Sequence, residues 1–248
     1  MGQLTGKIAL VTGGSSGIGL ASARRFAEEG AYVFLTGRDQ EKIDTAVASL
    51  GDAATGIRSD VADPADLEKV HTAIAAHGQG LDIVMANAGG GEFAPLAEVT
   101  REGFLTTFGI NAGGAIFTVQ AVLPLLREGA SIILTGSTAA FGGTPAFGLY
   151  AASKAAISSL GRTWASELLD RRIRVNTLVP GTTDTPGLRG LAPAGQDQAL
   201  VAGEAAKVPM GRAAAPAEIA AAALFLASDQ SSYMTGSEIF VDGGLVHL

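Results

Sequence analysis

The chain of 248 residues predicts a doubly wound α/β fold: one domain, a seven-stranded and mostly parallel sheet, helices on both faces. Three observations predict it. Short apolar runs alternate along the whole chain with segments of helical length, the pattern of consecutive βαβ units. A glycine-rich turn joins the first run to the first helical segment, where such folds hold ligands. With 34 glycines and only 6% aromatic residues, the apolar content is mostly Ala, Val, Leu and Ile, which suits thin, closely packed layers. No Pro/Ser-rich linker or charge run interrupts the chain, so residues 1–248 read as a single unit, with a nucleotide-binding half to about residue 90 and a catalytic half after it.

The elements follow in order. Lys7 to Thr12 (KIALVT) is apolar on both faces, as a central parallel strand must be. Gly13-Gly14-Ser15-Ser16-Gly17-Ile18-Gly19 opens a helix that ends at Gly30. Tyr32–Thr36 is a strand and Gln40–Leu50 a helix; Thr55–Arg58 is a strand, and Pro64–His77 a helix with proline at a tolerated first-turn position. Leu81–Ala86 is a strand, and Arg101–Leu126 a long helix interrupted by glycines. Ser131–Thr135, a helix over Leu149–Leu169, and the strand Ile173–Val179 complete the next units. A helix over Pro216–Ala227 and a strand over Glu238–Val241 close the chain. Two connections are long, Phe141–Gly148 and Pro180 to about Pro209, and both follow the carboxyl ends of strands, where an open parallel sheet binds its ligands.

Composition narrows the function. A net charge of −7 without any basic stripe argues against nucleic acid as a partner. The absence of cysteine removes disulfides and thiolate chemistry and fits the cytoplasm. Residues 1–7 lack a signal-peptide pattern, and no apolar run reaches the roughly 20 residues that span a bilayer, so no membrane partner is expected. His71, His77 and His247 have no ligand spacing, and no metal site is expected.

The turn Thr12-Gly13-x-x-x-Gly17-x-Gly19 sits between strand and helix. Glycines let the backbone approach a pyrophosphate, and the helix N-terminus offers unpaired N–H groups; a ligand-free tight turn is the alternative. At the end of the second strand, an acidic residue would bond a ribose 2′-hydroxyl and an arginine would accept a 2′-phosphate. The sequence there is Thr36-Gly37-Arg38-Asp39. Gly37 has no side chain at the acidic position, so Arg38 points to NADP(H). Asp39 keeps NAD(H) open, and no basic residue stands at Ser16 to supply a second positive charge.

Tyr150 and Lys154, four apart on a helix, share one face. A neighbouring ammonium favours phenolate and is expected to lower the tyrosine pKa, preparing it for proton transfer. Ser137 lies thirteen residues earlier, at the end of a strand. Two hydroxyls aimed at one carbonyl oxygen would stabilise the charge that develops as hydride arrives at carbon.

Together these motifs resemble the short-chain dehydrogenase/reductase superfamily along essentially the whole chain. The markers are the glycine turn, Asn87-Ala88-Gly89, Asn111, Ser137, Tyr150-x-x-x-Lys154, Pro180-Gly181 and the closing Val241-Asp242-Gly243-Gly244. The branch looks like 3-oxoacyl-carrier-protein reductases and glucose- or alcohol-dehydrogenase-like members. The resemblance implies a Rossmann-type domain and an NAD(P)-dependent enzyme acting on CH–OH groups and ketones. It places Gly13, Ser15, Ser16, Gly17, Ile18 and Gly19 at the cofactor, Asp60 and Val61 at the adenine, and Asn87, Ala88 and Gly89 along the cleft. Ser137 would bond the substrate oxygen, Tyr150 would exchange its proton, and Lys154 would hold the nicotinamide ribose. Asn111 would hold a water leading from the lysine to solvent. Pro180 and Gly181 precede Thr183 and Thr185, which would face the carboxamide.

Two departures stand out: Ala86 where Asn is frequent, and Thr183 where Ile or Val is common. They imply altered local packing. The glycines around Asn111 suit either a kinked helix or close helix packing. Small residues Ala151, Ala155, Ala156 and Ser159 suit a helix paired between subunits, so the resemblance implies a homotetramer, or a dimer. Trp164 reads as packing. Arg127, Arg171 and Arg172 could attract an acidic carrier protein or simply cap helices. Phe93, Phe141, Phe147 and Leu149 border the expected cleft, with Thr185–Pro209 as a candidate lid. A catalytically silent nucleotide sensor or scaffold is the alternative of a different class; the presence of Ser137, Tyr150 and Lys154 together favours an enzyme acting on a small-molecule substrate.

Overall fold

The computed structural model describes residues 2–248. Seven strands form one sheet in the order β3-β2-β1-β4-β5-β6-β7: β1 Ile8–Val11, β2 Tyr32–Gly37, β3 Ala54–Arg58, β4 Leu81–Ala86, β5 Leu126–Thr135, β6 Arg174–Pro180 and β7 Glu238–Val241. Every pairing is parallel, so the sheet is wholly rather than mostly parallel. The order reverses between β1 and β4, and that switch point opens a crevice at the carboxyl ends of the strands.

Side-chain alternation divides the core. Ile8, Leu10, Val84, Ile132 and Leu134 face one side with the helices α3 (Pro64–His77), α5 (Gly114–Val122) and α6 (Gly148–Glu167). Ala9, Val11, Ile83, Met85 and Ile133 face the other with α1 (Gly17–Glu28) and α9 (Pro216–Ala227). Over the outer strands, α2 (Gln40–Leu50) packs Ile43 and Ala46 against Leu35 and Ala54. Trp164 is a packing residue at the edge of the first core. His77 stacks on Tyr32, and His71 Nδ1 lies 2.7 Å from the Ala121 carbonyl oxygen.

Four expectations need correction. The fifth strand starts at Leu126, because Leu126 pairs with Leu81 before an irregularity that resumes at Ser131 with Ile83. The long connection after β6 contains two short helices, α7 (Pro186–Arg189) and α8 (Asp197–Ala205). The helix expected from Arg101 is built as α4 (Arg101–Phe108), a π-helical turn Gly109–Gly113, then α5. By length and composition the stretch 101–125 reaches what a bilayer span requires, contrary to the sequence reading. Its Ala115, Val119 and Val122 are buried against the sheet, and a core helix meets the same criteria.

Candidate active site

The crevice is one cavity of about 720 Å³ running from the glycine turn to the C-terminal tail. Gly13 and Gly17 have positive φ (63° and 53°), which L side chains adopt at a cost. A Cβ on Gly19 would strike the Gly13 carbonyl oxygen, so only glycine lets α1 start this close to the turn. The turn is pinned across the switch point. Asn87 and Ala88 donate their backbone N–H groups to Thr12 Oγ1 (2.9 and 3.0 Å), and Asn87 Nδ2 donates to the Thr12 carbonyl (3.0 Å). The α1 N-terminus therefore faces the cavity with backbone N–H groups available to an anion. Of the residues named from sequence, Gly13, Ser15, Ser16, Gly17, Ile18, Arg38, Asp60, Val61, Asn87, Ala88, Gly89, Ser137, Tyr150, Lys154, Pro180, Gly181, Thr183 and Thr185 line this cavity. Gly19 and Asn111 stand behind its wall.

At the end of β2, a Cβ on Gly37 would lie 2.6 Å from Ser15 Oγ. A side chain there would require the Ser15 hydroxyl to rotate away. Asp39 is engaged elsewhere: it caps α2, accepting from the Glu41 and Lys42 N–H groups (3.1 and 3.3 Å), and pairs with Lys42 Nζ at 3.2 Å. The Lys42 backbone and ammonium hold its carboxyl below the usual range. Arg38 is exposed on the cavity, and Lys42 lines it too. Lys42 is thus a second cation on the cavity rim, its ammonium paired with Asp39, with Arg58 adjacent through its Nε bond to the Arg38 carbonyl (3.2 Å). The Asp39-x-x-Lys42 spacing was the available signal, but it reads equally as an ordinary cap pair. Asp60 is held by its N–H bond to the Asp66 carboxylate (2.9 Å) and by accepting from Ala62 N–H (3.0 Å).

Ser137, Tyr150 and Lys154 meet where β5 ends and α6 begins. Ser137 follows β5 and accepts the Ala139 N–H at 3.2 Å. Tyr150 lies in the first turn of α6, and Lys154 one turn on. Lys154 is buried at 4% exposure; its Nζ donates to the Thr135 carbonyl (2.8 Å) and stands 5.7 Å from the centre of the Tyr150 ring. Burial draws the Lys154 pKa down to about 8. Tyr150 is half-buried, open to the cavity on one side, yet the protein around it pushes its phenol above the usual value, with the Ser137 hydroxyl pulling it partly back. The expected lowering by Lys154 is therefore not the dominant effect in the protein alone. Desolvation raises the phenol, and the ammonium is directed to the Thr135 carbonyl.

Asn111 sits in the π turn, where the widened helix leaves the regular i→i−4 ladder. Its side-chain amide is engaged with protein groups. Nδ2 donates to the Gly90 carbonyl (2.8 Å) and to Ser153 Oγ (2.9 Å), and Oδ1 accepts the Gly90 N–H (2.9 Å). Ser153 Oγ donates in turn to the Tyr150 carbonyl (2.7 Å). Asn111 thereby ties the loop after β4 to the backbone of the Tyr150 turn. Thr183 Oγ1 donates to the Gly181 carbonyl (3.0 Å), which satisfies the hydroxyl that replaces an aliphatic side chain. Thr185 caps α7 by accepting Leu188 N–H (3.1 Å), leaving its hydroxyl proton free. Ala86 is packed in the core at 6% exposure. Phe93, Phe141 and Phe147 line the cavity, whereas Leu149 does not; Leu245 and Val246 of the C-terminal tail, unmarked by any motif, do.

A wholly parallel sheet with its glycine cradle at the switch point, beside a serine, a tyrosine and a buried lysine, defines the class of nucleotide-dependent oxidoreductases. Residues 13–246 match the family model described as enoyl-(acyl carrier protein) reductase. The chain is 46% identical to an oxidoreductase, asL5, of Sarocladium schorii, covering 99% of this chain and 98% of that protein. It is 36% identical to a 3-oxoacyl-acyl-carrier-protein reductase of Thermotoga maritima, with 98% and 99% covered. A galactitol 2-dehydrogenase of Agrobacterium fabrum is also 36% identical, with 98% of each covered. A solved structure described as a short chain dehydrogenase/reductase family protein superposes with a TM-score of 0.87 at 40% identity, covering 99% of this chain and all of that one. The chain belongs to the short-chain dehydrogenase/reductase family and is an oxidoreductase, and the family implies a nicotinamide nucleotide as cofactor.

Proposed function

We propose that the protein interconverts a ketone and a secondary alcohol with NADP(H), using Tyr150 as the acid and base. The convergence of Ser137, Tyr150 and Lys154 on the cavity that also holds the glycine cradle carries this reading. The Gly13, Gly17 and Gly19 turn and the α1 N-terminus fit a pyrophosphate, and Arg38 with Lys42 favours a 2′-phosphate over the bare ribose of NAD(H). The residues expected to hold the cofactor are the lining residues named above; when bound, it supplies or accepts the hydride.

The chain's own groups then manage charge and protons. In the direction of reduction, Ser137 Oγ and the Tyr150 phenol donate to the carbonyl oxygen, and the phenol proton passes to it as negative charge develops. The Lys154 ammonium stabilises the phenolate left behind, so its influence is greatest in the transition state, when the tyrosine acquires charge. Asn111 keeps the Tyr150 turn and the Gly90 loop in register. In oxidation the same groups run in reverse. We place the enzyme in the cytoplasm and expect a homotetramer, or a dimer. Tyr150→Phe tests the reading directly: it should lower ketone reduction by at least about 100-fold while leaving NADPH binding intact. Reduction at the wild-type rate would remove Tyr150 from the chemistry.

A further inference from the structure

Beyond the reaction lies the question of what carbonyl the tyrosine faces, and the cavity walls bear on it. From Tyr150 outward runs an aromatic ladder. Phe147 stacks on the Tyr150 ring at 4.5 Å and 27°, and Phe93 lies on Phe147 at 4.8 Å. Phe141 lines another part of the same cavity, held edge-on by Phe240 (4.9 Å, 65°), which is itself packed by His247 of the C-terminal tail (4.6 Å). Phe93 and Phe141 are 44% and 43% exposed, a high figure for phenylalanines that line a cavity. Such surface is costly to leave wet and favourable for an apolar ligand to cover.

The charges argue in the same direction. After β6 the chain carries only three cations, Arg189, Lys207 and Arg212, and each is in an ion pair. Arg189 binds both Asp184 oxygens (2.7 and 2.9 Å) and Asp197 (2.8 Å), so each of its three nitrogens is engaged. Lys207 pairs with Glu204 at 2.7 Å and Arg212 with Glu218 at 2.7 Å. Of these only Glu204 and Lys207 line the cavity, as a neutral pair, so this segment offers no unpaired cation to a phosphate-bearing thioester or an acidic carrier.

Resting on the ketone–alcohol reading above, we infer that the substrate is a free, uncharged ketone with an aromatic or comparably bulky apolar substituent, and not a carrier-bound or coenzyme-linked acyl thioester. The carbonyl lies at Ser137 and Tyr150 while the substituent runs along the Phe147–Phe93 ladder.

The test is steady-state oxidation of NADPH and NADH by the full chain against propiophenone, butanone, acetoacetyl-coenzyme A and an acetoacetyl carrier-protein thioester. Propiophenone should exceed butanone in kcat/KM by about tenfold or more, as differential apolar contact allows, and exceed both thioesters. Phe93→Ala, an exposed position unlikely to disturb folding, should collapse the propiophenone-to-butanone ratio toward one, chiefly through KM. Preference for either thioester, or a ratio untouched by Phe93→Ala, would overturn the substrate class and leave the reaction standing. No turnover of any of the four with either nucleotide would overturn both.

Discussion

Lys154 is the residue at which burial and charge conflict most openly. Its ammonium has a single protein partner, the Thr135 carbonyl, and burial lowers its pKa from 10.5 to about 8. The unfolded chain binds this proton more tightly than the folded one, so the group destabilises the fold at neutral pH. The penalty is full below pH 8 and is relieved as pH rises from 8 towards 10.5. On the order of 3 kcal/mol follows from 1.36 kcal/mol per pKa unit, less whatever the Thr135 bond returns. Lys154→Met should therefore lose activity yet melt above wild type at pH 7, with the difference shrinking by pH 10; a lower melting temperature at pH 7 would contradict the account. Arg38 presents the converse case, an exposed cation with Lys42 beside it on the cavity rim. Arg38→Ala should raise the Kd of NADPH about tenfold or more, as loss of a charge-assisted contact does, and change NADH far less. Titration with both nucleotides decides it, and equal losses would remove the 2′-phosphate contact.

The helical stretch through α4 and α5 shows how an element shapes the site. Five residues, Gly109–Gly113, adopt the π turn that carries Asn111 inward to bond both Gly90 and Ser153. Asn111→Ala would leave the buried Ser153 hydroxyl and the N–H and carbonyl of the exposed Gly90 without this partner, at about 1–3 kcal/mol for each that water cannot reach. Thermal melting should fall, and kcat should fall more than KM rises, because Ser153 holds the Tyr150 carbonyl. An Asn111→Ala enzyme with a lowered melting point but unchanged kcat would confine the residue to stability. The glycines in Gly109-Ile110-Asn111-Ala112-Gly113-Gly114 made a local irregularity legible in the sequence, but not its geometry, since the engaged partners come from β4 and α6. The strands β1, β2, β4 and β6 were legible because both faces are buried and read as apolar runs. The start of β5 was not, since Arg127, Glu128 and Gly129 are exposed and polar. Nor were α7 and α8, whose Gly, Ala and Pro content offers no helical period. The tyrosine and lysine were legible as a pair, but not the balance of their pKa values, which depends on how much protein surrounds them. Lys42 and the C-terminal Leu245 and Val246 reach the cavity through tertiary packing alone.

At the scale of the molecule, α4, α5 and α6 present apolar side chains to solvent. Phe104, Leu105 and Phe117 are 42%, 56% and 52% exposed, and α6 adds the exposed small residues Ala155 and Ser159 beside them. Small side chains let helix backbones approach closely, and large exposed apolar patches on one face favour burial against a second copy. A two-fold contact across these helices would be isologous, each Phe117 meeting the same surface on its partner, and a second such axis would generate a tetramer. The β4 loop and the Tyr150 turn lie at the ends of these same helices, so the contact would also stiffen the elements that carry Asn111 and Tyr150. With a subunit of 24.9 kDa, light scattering at micromolar concentration should give a native mass of about 100 kDa for the tetramer, or about 50 kDa for a dimer, as closed symmetry requires. Leu105→Glu combined with Phe117→Arg should shift the mass downward and lower the melting temperature at low protein concentration. A monomeric wild type, or a double variant of unchanged mass, would show that these helices do not form the contact.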